Sequence, residues 1–218
     1  MSIHLQTELK HLNQRLLSLC ALVEAQSQAA VRSLLERNRE LAEAVEQADP
    51  EIDRAEIEVE EECLKILALY QPVAGDLRLV VAVLKVNNDL ERIGDLAVNV
   101  ARKAAALASA PALEVPIDVA GMWTKTRQML HDSLDSLVRA DAALATDVLA
   151  HDDEVDEMKR QFRQIVEDLI QSTPEHIEGL LRLMAVVRNL ERMADYATNI
   201  AEEVIYLVEG KITRHRMT

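Results

Sequence analysis

The frame L-E-R-x-x-[AG]-D-x-x-x-N occurs twice, as NDLERIGDLAVN over 88–99 and as RNLERMADYATN over 188–199, displaced by 100 residues without a gap. A second pair, LAEAVEQADPEID over 41–53 and LATDVLAHDDEVD over 144–156, is displaced by 103. Two blocks in the same order at nearly the same offset mean a duplicated unit of about 100 residues. The fold is thereby constrained to two similar halves, and any chemistry carried by the blocks is present twice.

What the unit lacks indicates what it is. Among 218 residues, aromatics make up 2%, and Gly and Pro number five each, while 49% are apolar. A chain so poor in turn formers and aromatics is suited to long helices and not to sheets. Leu9, Leu12, Leu16, Leu19, Val23 and Ala30 recur near helical spacing, which predicts a first helix over 5–36. A break near Asn38 leads into a short piece over 39–48. Asp49-Pro50 reads as an N-cap followed by a first-turn proline, so a new helix is expected there, with Ile52, Val59, Ile66 and Tyr70 as its buried stripe. Gln71-Pro72 ends it. A third helix follows over 73–107, and the Pro-containing stretch 109–118 is the linker.

The second copy repeats the plan over 119–139, a short piece to 150, then 153–171 and 174–209, with Gly210 as the C-cap. The expected fold is all-α, with six principal helices in two pseudo-symmetric three-helix bundles, 1–108 and 118–210, and a basic tail over 211–218.

Charge narrows the partners. Asp and Glu number 38 against 24 Lys and Arg, a net charge of −14, which disfavours nucleic acid because phosphate binding needs a basic face. No apolar run reaches membrane-spanning length, and the opening MSIHLQTELK is too polar for a secretion signal. Cys20 and Cys63 lie on separate apolar stripes and read as buried thiols of a cytosolic protein.

The acids recur in step. On the third helix Leu90, Ile93, Ala97 and Val100 form one stripe, with Glu91, Asp95 and Asn99 roughly opposite. Leu190, Met193, Ala197 and Ile200 stand in the same relation to Glu191, Asp195 and Asn199. The preceding helices supply Asp49 with Asp53 and Asp152 with Asp156, again four apart and close enough to share a ligand. Clustered carboxylates are hard ligands suited to magnesium, manganese or iron. The plainer reading is a solvated helix face, with Arg92 and Arg192 paired to Asp95 and Asp195. His131, His151 and His176 complete no E-x-x-H motif, and no phosphate-loop or nucleophile motif is present. Arg78, Lys85, Arg182 and Arg188 are candidates for holding an anion, against the plainer reading of ordinary helix charge.

With these motifs, together with Gly75-Asp76-Leu77-Arg78 at the start of the third helix, the chain resembles the PhoU family over roughly residues 5–210. The second copy lacks the Gly75-Asp76-Leu77-Arg78 block. The resemblance implies two adjacent three-helix bundles and multinuclear metal clusters, iron or zinc in some members, on Asp49, Asp53, Glu91 and Asp95 and on Asp152, Asp156, Glu191 and Asp195. It also implies a regulator and not an enzyme. Such a protein restrains phosphate uptake and the phosphate-starvation response by binding a sensor histidine kinase and the phosphate transporter ATPase. It meets the membrane only through these partners, and a homodimer is an assembly it allows. Two other classes remain open from the residues alone: a metal-dependent phosphoesterase and a helical scaffold without metal.

Overall fold

The computed structural model describes residues 3–113 and 115–210, so the expected basic tail over 211–218 lies outside the described residues. The helices are α1 (Ile3–Leu35), α2 (Arg39–Tyr70), α3 (Ala74–Ala108), α4 (Val119–Arg139), α5 (Ala142–Ala150), α6 (Asp152–Ser172) and α7 (Ile177–Glu209), with a 3₁₀ turn, Pro174–His176, before α7. No strand occurs among the described residues. α1, α2 and α3 pack on one another, while α4, α5 and α6 all pack on α7. Gly210 ends α7 in left-handed backbone, its N–H bonded to the Tyr206 carbonyl.

The corner after the first helix of each repeat is built from the same parts, 103 residues apart. Arg37 and Ala140 take left-handed backbone, with φ of 51° and 50°. The next N–H then reaches back, from Asn38 to the Ser33 carbonyl at 2.8 Å and from Asp141 to the Ser136 carbonyl at 2.9 Å. This arrangement satisfies carbonyls that a helix end leaves unpaired. Asn38 then caps α2, accepting from Leu41 N–H at 2.9 Å, and Asp141 caps α5, accepting from Ala143 N–H at 3.0 Å. Arg37 also donates to the carbonyls of Leu107, at 2.8 Å, and Ala110. A cation there offsets the negative end of α3.

The break expected at Asp49-Pro50 does not occur. α2 runs unbroken through Pro50, and Asp49 is an interior residue, not a cap. Proline inside a helix removes one hydrogen bond and costs about 3 kcal/mol. Against this, α2 buries Ala42, Val45, Ile52, Val59, Cys63 and Ile66 along one face, and that face is continuous across the proline. The second repeat, which has no proline there, is the one interrupted. His151 separates α5 from α6, and its ring Nδ1 lies 2.7 Å from the Asp147 carbonyl. Among the described residues there are thus six principal helices plus short α5, the separate piece expected up to residue 150.

The two bundles join where α3 packs on α7, with a smaller contact between α1 and α4. Lys85 of α3 bonds both carboxylate oxygens of Glu203 on α7, at 3.1 and 2.9 Å, and its ammonium lies 5.4 Å from the Tyr206 ring centre. Glu203 is buried. At the other end of the seam, Ala106 and Ser109 line a recess with Gly179 and Arg182. High numbers on one helix meet low numbers on the other, so α3 and α7 run antiparallel. α1 and α4 add a bond from Trp123 Nε1 to Gln28 at 3.3 Å and a contact between His131 and Glu24 at 3.1 Å. One continuous apolar cluster runs through both repeats.

The small residue in the L-E-R frame has a packing reason. A Cβ at Gly94 would stand 3.3 Å from the side chain of Ile52, so glycine lets α2 and α3 approach closely. In the second repeat the matching residues are Ala194 and Val155. One carbon has moved from one side of the contact to the other, conserving volume. Gly94→Ala and Ile52→Val should therefore couple. The double variant, which rebuilds the second repeat's pair, should be more stable than the sum of the single changes by about 0.5–3 kcal/mol in denaturant unfolding. Strict additivity would show that the pair does not set the spacing.

Candidate functional site

The apolar stripes place the acids. Leu90, Ile93, Ala97 and Val100 of α3 are fully buried, as are Leu190, Met193, Ala197 and Ile200 of α7. The acids between them therefore project away from the core, but not uniformly outward as expected. Asp95 is exposed, while Glu91 turns toward α2 and is about one quarter exposed at 26%. Glu191 is more enclosed, at 13%.

In the first repeat, α2 and α3 bring together Asp49, Asp53, Glu91 and Asp95, with Glu56 one turn further along α2. Asp49 accepts from Gln26 Nε2 at 3.1 Å, and the same amide is 3.5 Å from the Gly94 carbonyl. The Asp49 carboxyl is pushed up by burial, which outweighs the Gln26 bond, with the charges of Asp53 and Asp95 adding to it. Glu91 is pushed up by burial and then by Asp95, with Arg92 opposing. Glu56 is raised by burial and by Glu60 and Asp53. It is anchored by buried Asn87, whose Nδ2 donates to the Glu56 carboxylate and carbonyl, each at 3.0 Å. Arg92 sits at the rim, 3.3 Å from Glu91 and 3.4 Å from Asp95, the pairing expected at that spacing.

In the second repeat, α6 and α7 bring together Asp152, Asp156, Glu191 and Asp195. Asp152 is raised by burial, then by Asp156, Asp153 and Glu191. Asp195 is open to solvent on one side, yet its carboxyl is pushed up to about 6 by burial, with Glu191, Asp152 and Asp156 adding to it. The cation that opposes this shift is Lys159 and not the expected Arg192. Lys159 bonds Glu191 and lies 3.7 Å from Asp156. Asn199 does not extend this group; it lines the α3–α7 cleft with Asn88 and Glu202.

Among the described residues, no three His, Cys, Asp or Glu side chains are grouped so as to hold an ion. In the second repeat an ammonium already stands among the donors. With that ammonium in place, the second repeat's side chains do not fit a metal ion in addition. Of the cations considered for an anion, Lys85 is paired with Glu203 and Arg182 with Glu178, while Arg78 Nε is buried without a hydrogen-bond partner. Cys20 and Cys63 are buried and free, with burial pushing both thiols up to about 12.

Gln26, Asn87 and Lys159 are the working residues that motif reading passes over. The first two sit outside the acidic spacing. Lys159 was visible only as the residue standing where the first repeat has Glu56.

Comparison with known proteins agrees with this architecture. The PhoU domain pattern matches residues 16–104 and again 119–204. The phosphate-specific transport system accessory protein PhoU homolog of Pseudomonas putida is 40% identical over 212 residues, 95% of this chain and 82% of that protein. The corresponding homolog of Aquifex aeolicus is 37% identical, covering 96% of this chain and 95% of its own. The crystal structure of PhoU from Pseudomonas aeruginosa superposes with a TM-score of 0.91 at 37% identity, covering 94% of this chain and 99% of that one. The two homologs are named as accessory proteins of a phosphate-specific transport system.

The raised Asp195 carboxyl fixes the sign of a pH effect. Its folded value, about 6, lies above the ordinary 3.8, so the folded state binds more protons between those values. Stability contributed at this site therefore falls as pH rises from about 4 to 6. In chelator-treated protein, Asp195→Asn should melt above the parent at pH 7, and the gap should narrow as pH falls toward 4. Because the carboxylate is partly solvated, a gap of only a few degrees is expected. A gap independent of pH would mean that the Asp195 charge is not its source.

Proposed function

The chain belongs to the PhoU family, and on that premise we propose that it restrains phosphate-starvation signalling by binding its partners. The coarse role, accessory and regulatory in phosphate transport, comes with the family. The finer reading is an adaptor on the cytoplasmic face, between the ATPase of a phosphate transporter and a sensor histidine kinase. One observation carries it: the family match spans nearly the whole chain and nearly the whole of its relatives. The structure supports it in one way: the acids are held in place by amides and a lysine, and so present fixed charge to a partner. Membrane association, in this reading, runs through the partners; no helix among the described residues is long and apolar enough to cross a membrane.

The net charge of −14 gives the binding a physical character. Exposed charges attract over roughly 8–10 Å at physiological salt and lose that attraction as salt rises. Association with basic partner surfaces should therefore weaken with ionic strength, mainly through a slower on-rate. In cells, deletion of the gene should switch on phosphate-scavenging genes in phosphate-rich medium, and the restored gene should silence them, as read by a reporter. Normal repression in the deletion strain would remove the regulator reading.

A further inference from the structure

The two repeats hold their carboxylates by different means, and the differences form a set. The corners align α1 and α2 with their second-repeat counterparts at an offset of 103, and the L-E-R frames align α3 with α7 at 100. On that register Gln26 corresponds to Met129, Asn87 to Val187 and Glu56 to Lys159. In the first repeat the two amides are buried, at 7% and 1% exposure, and donate to Asp49 and Glu56. An amide orients a carboxylate but brings no charge. In the second repeat both amides are replaced by apolar residues, and a fifth carboxylate is replaced by a lysine.

The Lys159 ammonium reaches the remaining acids from within. It bonds Glu191 across the α6–α7 contact and stands 3.7 Å from Asp156 on its own helix. Its own proton is held more firmly by the Glu191 bond and by Asp156 and Asp195. The acids also gain from position, because Asp152 and Asp153 lie in the first turn of α6, where the helix dipole favours negative charge. The first repeat has no such help, since α2 is continuous through the matching residues.

We propose that Lys159 is a tethered counter-ion that takes the place of a metal ion in the second repeat, so that Asp152, Asp156, Glu191 and Asp195 are held together without metal. A compact ammonium with three donors gathers carboxylates much as a small cation would. A free cation entering the same group would meet a positive charge that cannot diffuse away. The two repeats, alike in fold, are thus unlike in their demand for ions. The inference rests on side-chain geometry and is independent of the regulator reading.

The test uses the full chain, stripped with chelator, and Mn²⁺ as the probe. Lys159→Met keeps the aliphatic stem and removes the charge. It should lower the melting temperature by about 2–4 °C or more, Mn²⁺ should restore the loss, and equilibrium dialysis should find about one more bound ion per chain than in the parent. Lys159→Arg, which keeps the charge, should take up no extra ion. An unchanged melting temperature, or a loss that Mn²⁺ does not restore, overturns the proposal. A second measurement needs no Lys159 variant: Asp156→Asn with Asp195→Asn should leave the Mn²⁺ content of the parent unchanged. A fall in that content would mean that the second repeat binds metal despite Lys159.

Discussion

The antiparallel packing of α3 on α7 is the contact on which the rest of the molecule depends. Each of these helices is the central member of its own bundle and also the wall of the other. A helix used on two sides has little surface left for solvent, so its acids are confined to a narrow face beside the preceding helix. The Lys85–Glu203 pair pins this contact at one level, with the acid buried and the lysine ammonium over the Tyr206 ring. Extended along antiparallel helices from that pair, the register brings the level of Gly94 beside that of Ala194. The two acidic groups therefore sit near mid-seam, on a body whose core is shared between the repeats.

Much of this was legible in the chain. The stripes of Leu90, Ile93, Ala97 and Val100, and of their partners on α7, could be read because period and burial coincide on a helix used from end to end. The linker over 109–118 and the Gly210 cap could be read because proline and glycine act locally. The local rule failed at Asp49-Pro50, where it marks a helix start. The buried face of α2 spans the proline and overrides it, an effect that only tertiary packing supplies. Lys159 escaped for a related reason. Spacing rules search for residues that recur, and the informative feature of the second cluster is the residue that does not. The half-buried placement of Glu91 and Glu191 was likewise beyond periodicity, which gives the direction of a side chain but not how closely the next helix covers it.

Duplication explains both the likeness and the difference. The corners with Arg37 and Ala140 in left-handed backbone, followed by Asn38 and Asp141 as caps, are the same device used twice. Once a fold is secured by such devices, side chains at the acidic faces are free to diverge. The exchange of Gln26, Asn87 and Glu56 for Met129, Val187 and Lys159 is divergence of that kind. It leaves the backbone plan intact and changes the electrostatics of one face relative to the other. A regulator that works by binding can use such a difference, since two faces of similar shape and unlike charge can select unlike partners.

The central claim is that this chain acts by association within the phosphate-transport system. It is tested most directly by recovering the tagged, full-length chain from cells grown in rich and in depleted phosphate, and identifying by mass spectrometry what comes with it. The account predicts that the transporter ATPase and a sensor histidine kinase are recovered together from phosphate-rich cells, and that raising the salt of the wash releases them. Recovery of neither protein under either condition, from cells in which the tagged chain still restores repression, would contradict it.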